Sequence, residues 1–325
     1  MKGKKVDLIL HNATILSLSD SNIKGEAIAI KNGNIVEIGP ERQILNKYRS
    51  DEARDIEGKE IIPNLINCAL QFDSSLTETK LLDFETFFLQ QGITTIHVMN
   101  VSEKQLKLFE KNRKSLLIHW YLNLIPSKAN IQYIRNHKKN KQPIFIQGFT
   151  LSELNKNEAK EVIAIAKSKN LQIGVDCSEG KEILDIISKS LYEYKLDHRW
   201  FAFNVGSDNE LQNRLLVNNF FISYTKKEKI NSTMYLIGSL NPNENLLNQA
   251  VDISTFNKSQ LNTTLKSITN WASYFSFSEK KTGTLEPGKA ADFTILNTPI
   301  HSHSSNQQVY SFETYRKGKL IYSME

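Results

Sequence analysis

Several side chains in this sequence could do chemistry. His97 and His119 fall in the apolar runs Ile93 to Val98 and Ser115 to Leu122, where a neutral imidazole can ligate a metal or carry a proton near neutral pH. A histidine satisfied by buried neighbours is the competing reading. Asp176 follows Leu171 to Val175, so its carboxylate either binds a cation or caps the helix that follows. Cys68 and Cys177 each sit at the end of an apolar run; a thiol becomes a nucleophile only beside a base, and otherwise packs as a small hydrophobe. Gln71, Gln147 and Asn204 offer neutral amides to a ligand. His301-Ser302-His303 is the one His-x-His in the chain, and it lies in the polar C-terminal stretch, where solvated loop histidines are the expectation.

Something must position these groups. At 325 residues, with 40% hydrophobic and 23% charged, the chain can bury one large core. The first sixty residues read as short strands broken by turns, with Asn32-Gly33 a hairpin signal between alternating apolar residues. From Ile61 the pattern becomes apolar strand then amphipathic helix, repeated about eight times. The expected strands are Ile61 to Ile66, Ile93 to Val98, Ser115 to Leu122, Pro143 to Gln147, Leu171 to Val175, Trp200 to Val205, Phe220 to Tyr224 and Met234 to Ile237. Expected helices include Thr79 to Gln91, Ser102 to Lys111, Leu151 to Lys169, Lys181 to Tyr194 and Glu210 to Val217, with a reduced helix after Tyr224. This predicts an α/β fold, a (β/α)8 TIM-like barrel over 61–282, with a small β-sandwich built from both chain termini, 1–60 and 283–325.

Charge and cysteine usage narrow the partners. The net charge of +6 comes from 41 Lys and Arg against 35 Asp and Glu, and the lysines alternate with acids such as Glu158 and Glu161 on helical surfaces. Nucleic acid is not expected, because no basic and aromatic interleaving appears. No apolar run approaches the roughly 20 residues that cross a bilayer, so no membrane partner is expected. Two cysteines make no disulfide framework, and a reducing, cytoplasmic setting is the expectation.

Four stretches carry a family resemblance: Asp7 to Ala13 with Ala27 to Gly39, Asp55 to Pro63, Gly92-Ile93-Thr94-Thr95-Ile96, and Gly283-Thr284-Leu285-Glu286-Pro287-Gly288-Lys289-Ala290-Ala291-Asp292. Together they resemble the metal-dependent amidohydrolase superfamily, in particular its amidohydrolase-3 branch. The resemblance implies zinc or another divalent metal at the barrel mouth, activating water for hydrolysis. It also implies paired subunits.

The ligand positions implied by that family are then read one by one. Its Pro-Gly-Phe-Ile-Asp-Ser-His-x-His stands here as Pro63-Asn64-Leu65-Ile66-Asn67-Cys68-Ala69-Leu70-Gln71, with Ala69 and Gln71 at the histidine positions. Strand four offers Gln147, strand five Asp176 in place of histidine, and strand six Ala202. The closing Gly-Ser-Asp is Gly238-Ser239-Leu240. A methyl or isobutyl group cannot donate a lone pair, and leucine cannot act as a base. The expectation is a protein that keeps the framework, carries no metal and has lost metal-dependent hydrolysis, in a binding, regulatory or assembly role with a small-molecule ligand at the barrel mouth. The alternatives are an atypical or metal-free enzyme working through residues such as Cys68, Gln71, His97, Asp176 and Asn204, and ordinary hydrolysis of carbon–nitrogen bonds other than peptide bonds.

Overall fold

The computed structural model describes residues 3–21, 23–137, 142–152, 156–178, 184, 186–187, 197–226, 228–230, 232–257, 260–300 and 309–324. The chain divides into two compact units, Met1–Ile66 with Thr86–Thr94 and Gln260–Glu325, and Asn67–Glu85 with Thr95–Ser259. The His301-Ser302-His303 motif lies outside the described residues.

In the first unit both chain ends build one sandwich, as expected. A six-stranded sheet runs in the order Lys319–Ser323, Ser311–Arg316, Phe293–Leu296, Glu60–Pro63, Thr14–Leu16 and Lys24–Gly25. A four-stranded sheet runs Asn34–Gly39, Ala27–Lys31, Leu8–His11, Glu52–Asp55. Between them Leu8, Leu10, Ile28, Ile30, Ile61, Phe293, Ile295 and Tyr315 form one buried cluster, which neither sheet could bury alone. The Asn32-Gly33 hairpin closes with φ of +51° and +75°, the left-handed backbone that Asn and Gly tolerate.

The expected strand Ile61 to Ile66 is two strands. Glu60–Pro63 belongs to the sandwich and Leu65–Gln71 to the second sheet. The break is Asn64, whose side chain donates to the Tyr315 carbonyl at 2.7 Å and accepts from Thr294 Oγ1 at 2.7 Å. The helices Leu261–Lys266 and Asn270–Phe275 also fall in this unit.

The second unit carries most of the eight-stranded sheet, whose strands are, in sequence order, Leu65–Gln71, Ile93–Val101, His119–Leu124, Ile144–Leu151, Gln172–Asp176, Phe201–Phe203, Phe221–Tyr224 and Leu236–Ile237. Each neighbouring pair from the second strand to the eighth is parallel. The first and eighth strands meet at a seam, where Gln71 N–H donates to the Leu240 carbonyl at 3.1 Å. There the Asn67 side chain accepts from Ser239 N–H at 3.0 Å and donates to the Ser239 carbonyl at 3.2 Å. These bonds bring the ends of the sheet together, and the result is the nearly closed (β/α)8 barrel expected.

Helices Glu78–Gln90, Glu103–Asn112, Lys128–Asn136, Lys156–Lys169, Asn209–Val217 and Leu246–Asn257 separate the strands or follow them. Ser102 and Gln105 form a full capping box on the second of these, and Asp208 caps the fifth through Leu211 N–H. Leu151 ends the fourth strand instead of opening a helix, and the third strand begins at His119. Its approach is held by buried Glu85, which accepts from Leu117 N–H, Ile118 N–H and Trp120 Nε1 at 2.9, 3.0 and 3.2 Å. The helix expected over Lys181 to Tyr194 falls largely outside the described residues. Among the described residues none between Tyr224 and Leu236 is helical, in keeping with a reduced helix there. No described helix is long and apolar enough to cross a membrane.

Candidate functional site

Strand alternation decides which side chains face the inside of the barrel. Trp120 packs on Phe109 of the Glu103–Asn112 helix, with ring centroids 5.1 Å apart, so its face of the sheet is the helix side. His119, Tyr121 and Asn123 therefore face inward. In register with Tyr121 are His97 and Phe145, and the three rings stack, His97 on Tyr121 at 4.8 Å and Tyr121 on Phe145 at 4.7 Å. His119 sets its ring edge-on to Phe145 at 5.3 Å.

Beside the stack runs a chain of neutral amides. Gln147 Nε2 donates to Gln172 Oε1, and Gln172 Nε2 donates to the Arg199 carbonyl at 2.6 Å. That orientation leaves Gln147 Oε1 as an acceptor, which takes Asn123 Nδ2 at 2.9 Å and His97 Nδ1 at 2.6 Å. His97 is thereby set as the Nδ1–H tautomer toward this chain. It is fully buried, and burial lowers its pKa from 6.5 to about 4, against a smaller upward pull from the Gln147 bond. The imidazole is neutral at physiological pH.

A second group sits at the ends of strands five to seven. Asp176 Oδ1 accepts from Ser178 N–H at 3.1 Å, Ser178 Oγ at 2.7 Å and Asn204 Nδ2 at 3.0 Å. Asn204 Oδ1 in turn accepts from Thr225 Oγ1 at 3.4 Å. The Ser178 bonds make a local turn at the strand end, and the start of the helix that Asp176 is expected to cap lies outside the described residues.

Other expected residues land apart from both groups. Ala202 pairs with Val175 and Ile222, whereas Asp176 pairs with Phe203. Alternation therefore puts Ala202 on the face opposite Asp176, and the inward neighbours of Asp176 and Gly174 are Phe203 and Phe201. The strand-six position facing the barrel interior is thus aromatic, and placing it at Ala202 is one residue out of phase. Cys68 and Cys177 are buried free thiols, and burial pushes the Cys68 pKa well up, which disfavours the thiolate.

Gln71 and Leu240 meet at the seam through backbone. Ala69 lies beneath them, fully buried, and Gly238 presses on it: a Cβ on Gly238 would stand 2.3 Å from Ala69 N and 2.7 Å from Ala69 Cβ. Above the seam a cavity of about 410 Å³ opens, with Phe72, Leu76 and Phe84 in its lining. Gln71, Asn241 and Asn243 give it amides, and Asp73 and Lys80 give it one charge of each sign.

A catalytic divalent metal needs about three imidazole or carboxylate ligands converging on one point. Among the described residues no three His, Cys, Asp or Glu side chains do so. The positions that would supply them hold Ala69 packed under Gly238, Leu240, the amides of Gln71 and Gln147, and an Asp176 oxygen already accepting three hydrogen bonds. These residues do not fit the metal. Sequence reasoning missed Asn67, Asn123 and Gln172, whose amides are ordinary polar residues until strand register shows which way they point.

No family model matches the chain. The adenine deaminase of Clostridium perfringens is 24% identical over 360 residues, an alignment covering 99% of this chain and 60% of that protein. The chain thus spans less than two thirds of its relative's length. Among solved structures, an adenosine deaminase from Xanthomonas campestris with bound zinc aligns with a TM-score of 0.71 at 13% identity, over 99% of this chain and 94% of that one. The L-hydantoinase of Arthrobacter aurescens aligns with a TM-score of 0.68 at 14% identity, over 98% and 96%. At such identities the likeness establishes the fold, and the resemblance to metal-dependent amidohydrolases is borne out.

Proposed function

We infer that this chain is a divergent member of the amidohydrolase fold that has lost metal-dependent hydrolysis and uses its barrel to bind a small molecule, in a regulatory or assembly role. One observation carries the reading: the inward positions of strands two to five are joined by the neutral chain His97, Gln147, Asn123 and Gln172. Gln147 bonds three neighbours, Gln172 passes the chain on to the Arg199 carbonyl, Asn123 donates to Gln147 with its own Oδ1 left unmet among the described residues, and the one imidazole is kept uncharged by burial. A site built to hold a dication concentrates negative charge and lone pairs instead. The rebuilt interior supports a stable barrel that does not depend on a bound ion. The two buried free thiols support a cytoplasmic setting.

The test is metal content. Protein purified without chelators and analysed by plasma mass spectrometry is expected to hold far less than one zinc, manganese or iron per chain. A stoichiometric metal retained through gel filtration would sink the reading.

A second reading is favoured by the similarity to an adenine deaminase along nearly the whole chain: hydrolysis of a carbon–nitrogen bond outside a peptide, by an atypical or metal-free site. Ammonia release from adenine by the purified chain, abolished by Asp176→Ala, would decide for it.

A further inference from the structure

We propose that the cavity above the seam between the first and eighth barrel strands binds a free α-amino acid with an apolar side chain. The proposal rests on the reading of the barrel as a binding scaffold and names what it binds. At about 410 Å³ the cavity falls in the range of small-ligand sites.

Its lining combines apolar and charged groups. The apolar part is Leu76 with the Phe72 and Phe84 rings, which lie 5.5 Å apart. The charged part is Asp73 and Lys80, joined through one residue: Lys80 Nζ donates to Ser75 Oγ at 2.9 Å, and Ser75 N–H donates to Asp73 Oδ1 at 2.7 Å. The bonds from Ser75 hold the Asp73 carboxyl below its ordinary range, which favours the carboxylate. The Gln71 side-chain amide also lines the cavity and has no hydrogen-bond partner among the described residues.

This pairing discriminates among ligand classes. A phosphate or carboxylate anion would gain Lys80 but face Asp73, and a simple cation would meet the reverse. A neutral heterocycle would stack on the phenylalanines and use the amides, yet satisfy neither charge. A zwitterion satisfies both at once, its ammonium toward Asp73 and its carboxylate toward Lys80. An apolar side chain then covers Phe72 and Phe84, and Gln71 can bond either end of the backbone.

Isothermal titration calorimetry of the full chain tests this with L-leucine, L-phenylalanine, N-acetyl-L-leucine, L-leucinamide and adenine. The expected result is saturable one-to-one binding of leucine or phenylalanine. The acetylated and amidated forms, each lacking one charge, should bind at least tenfold more weakly. Asp73→Asn and Lys80→Met should each weaken the amino acid at least tenfold, and an unchanged thermal midpoint would show that both variants fold. Leucine binding that ignored both substitutions would overturn the proposal. Adenine binding without amino-acid binding would also overturn it while leaving the scaffold reading standing. Heat from none of the five probes would overturn it too, whereas the scaffold reading fails separately, on stoichiometric metal.

Discussion

His97 holds its Nδ1 2.6 Å from Gln147 Oε1, reaching past the third strand to the fourth. The bond orients the imidazole while burial keeps it neutral, and the cost of that burial appears on acidification. The unfolded chain takes up a proton near the ordinary 6.5, and the folded chain only near about 4. This contribution to stability is therefore complete above pH 6.5 and is lost as pH falls from 6.5 toward 4. The full loss is about 3 kcal/mol, most of which is gone by pH 4.5. Urea denaturation at pH 7 and pH 4.5 should show that difference in the wild type. His97→Gln, with no proton to gain, should show it reduced by that amount.

Gln147 is the hub of the same chain, bonded to His97, Asn123 and Gln172. Gln147→Leu fills similar space but strands buried partners on both sides. A buried donor or acceptor left unmet costs about 1–3 kcal/mol, and networks lose more than pairs. The expected destabilisation is about 3 kcal/mol by urea denaturation at pH 7. A loss below about 1 kcal/mol would mean that the amide chain does not organise the interior.

The framework was readable because its signals are local. Asn32-Gly33, Gly288 and Lys317-Gly318 all take positive φ, and each announces a turn from composition alone. The Ser102 to Gln105 capping box marks a helix start in the same way. The site was less readable, because inward facing depends on register. Bulges between Val98 and Val101 and between Leu122 and Asn123 shift phase along the strands, so counting alternation from the sequence loses its place. Strand six carries no such bulge: Ala202 is expected there from the family pattern alone, and the pairing of Asp176 with Phe203 puts the inward position one residue away. The helices Lys128–Asn136 and Leu246–Asn257 escaped notice because asparagines blur their apolar stripes.

In the sandwich, Glu313 is nearly buried and accepts Arg54 Nη2 at 2.7 Å and Nη1 at 3.1 Å, with Tyr315 Oη donating to it at 2.8 Å. Removing the cation leaves a carboxylate with one neutral donor. Arg54→Ala should destabilise this unit by about 1–3 kcal/mol, less than a fully buried pair would cost because Arg54 is partly exposed. Glu313→Gln in the Arg54→Ala background should recover part of the loss. A double-mutant cycle with no coupling would show that the pair is ornamental to stability.

Restoring the family's first ligand position should not restore a metal site. Ala69 is fully buried and Gly238 leaves it no margin, since even a methyl on the glycine would stand 2.3 Å from Ala69 N. An imidazole at 69 must displace the seam that Asn67 and Ser239 hold closed. Ala69→His is expected to destabilise the chain by about 1–3 kcal/mol through overpacking. Adding Gln71→His and Leu240→Asp supplies two more ligand types but not their convergence, because strand six still presents Phe201 and Phe203 inward. The triple variant should bind zinc at well under one equivalent by plasma mass spectrometry after dialysis. Stoichiometric zinc with wild-type stability would show that the interior had kept the geometry of a metal centre and lost only its ligands.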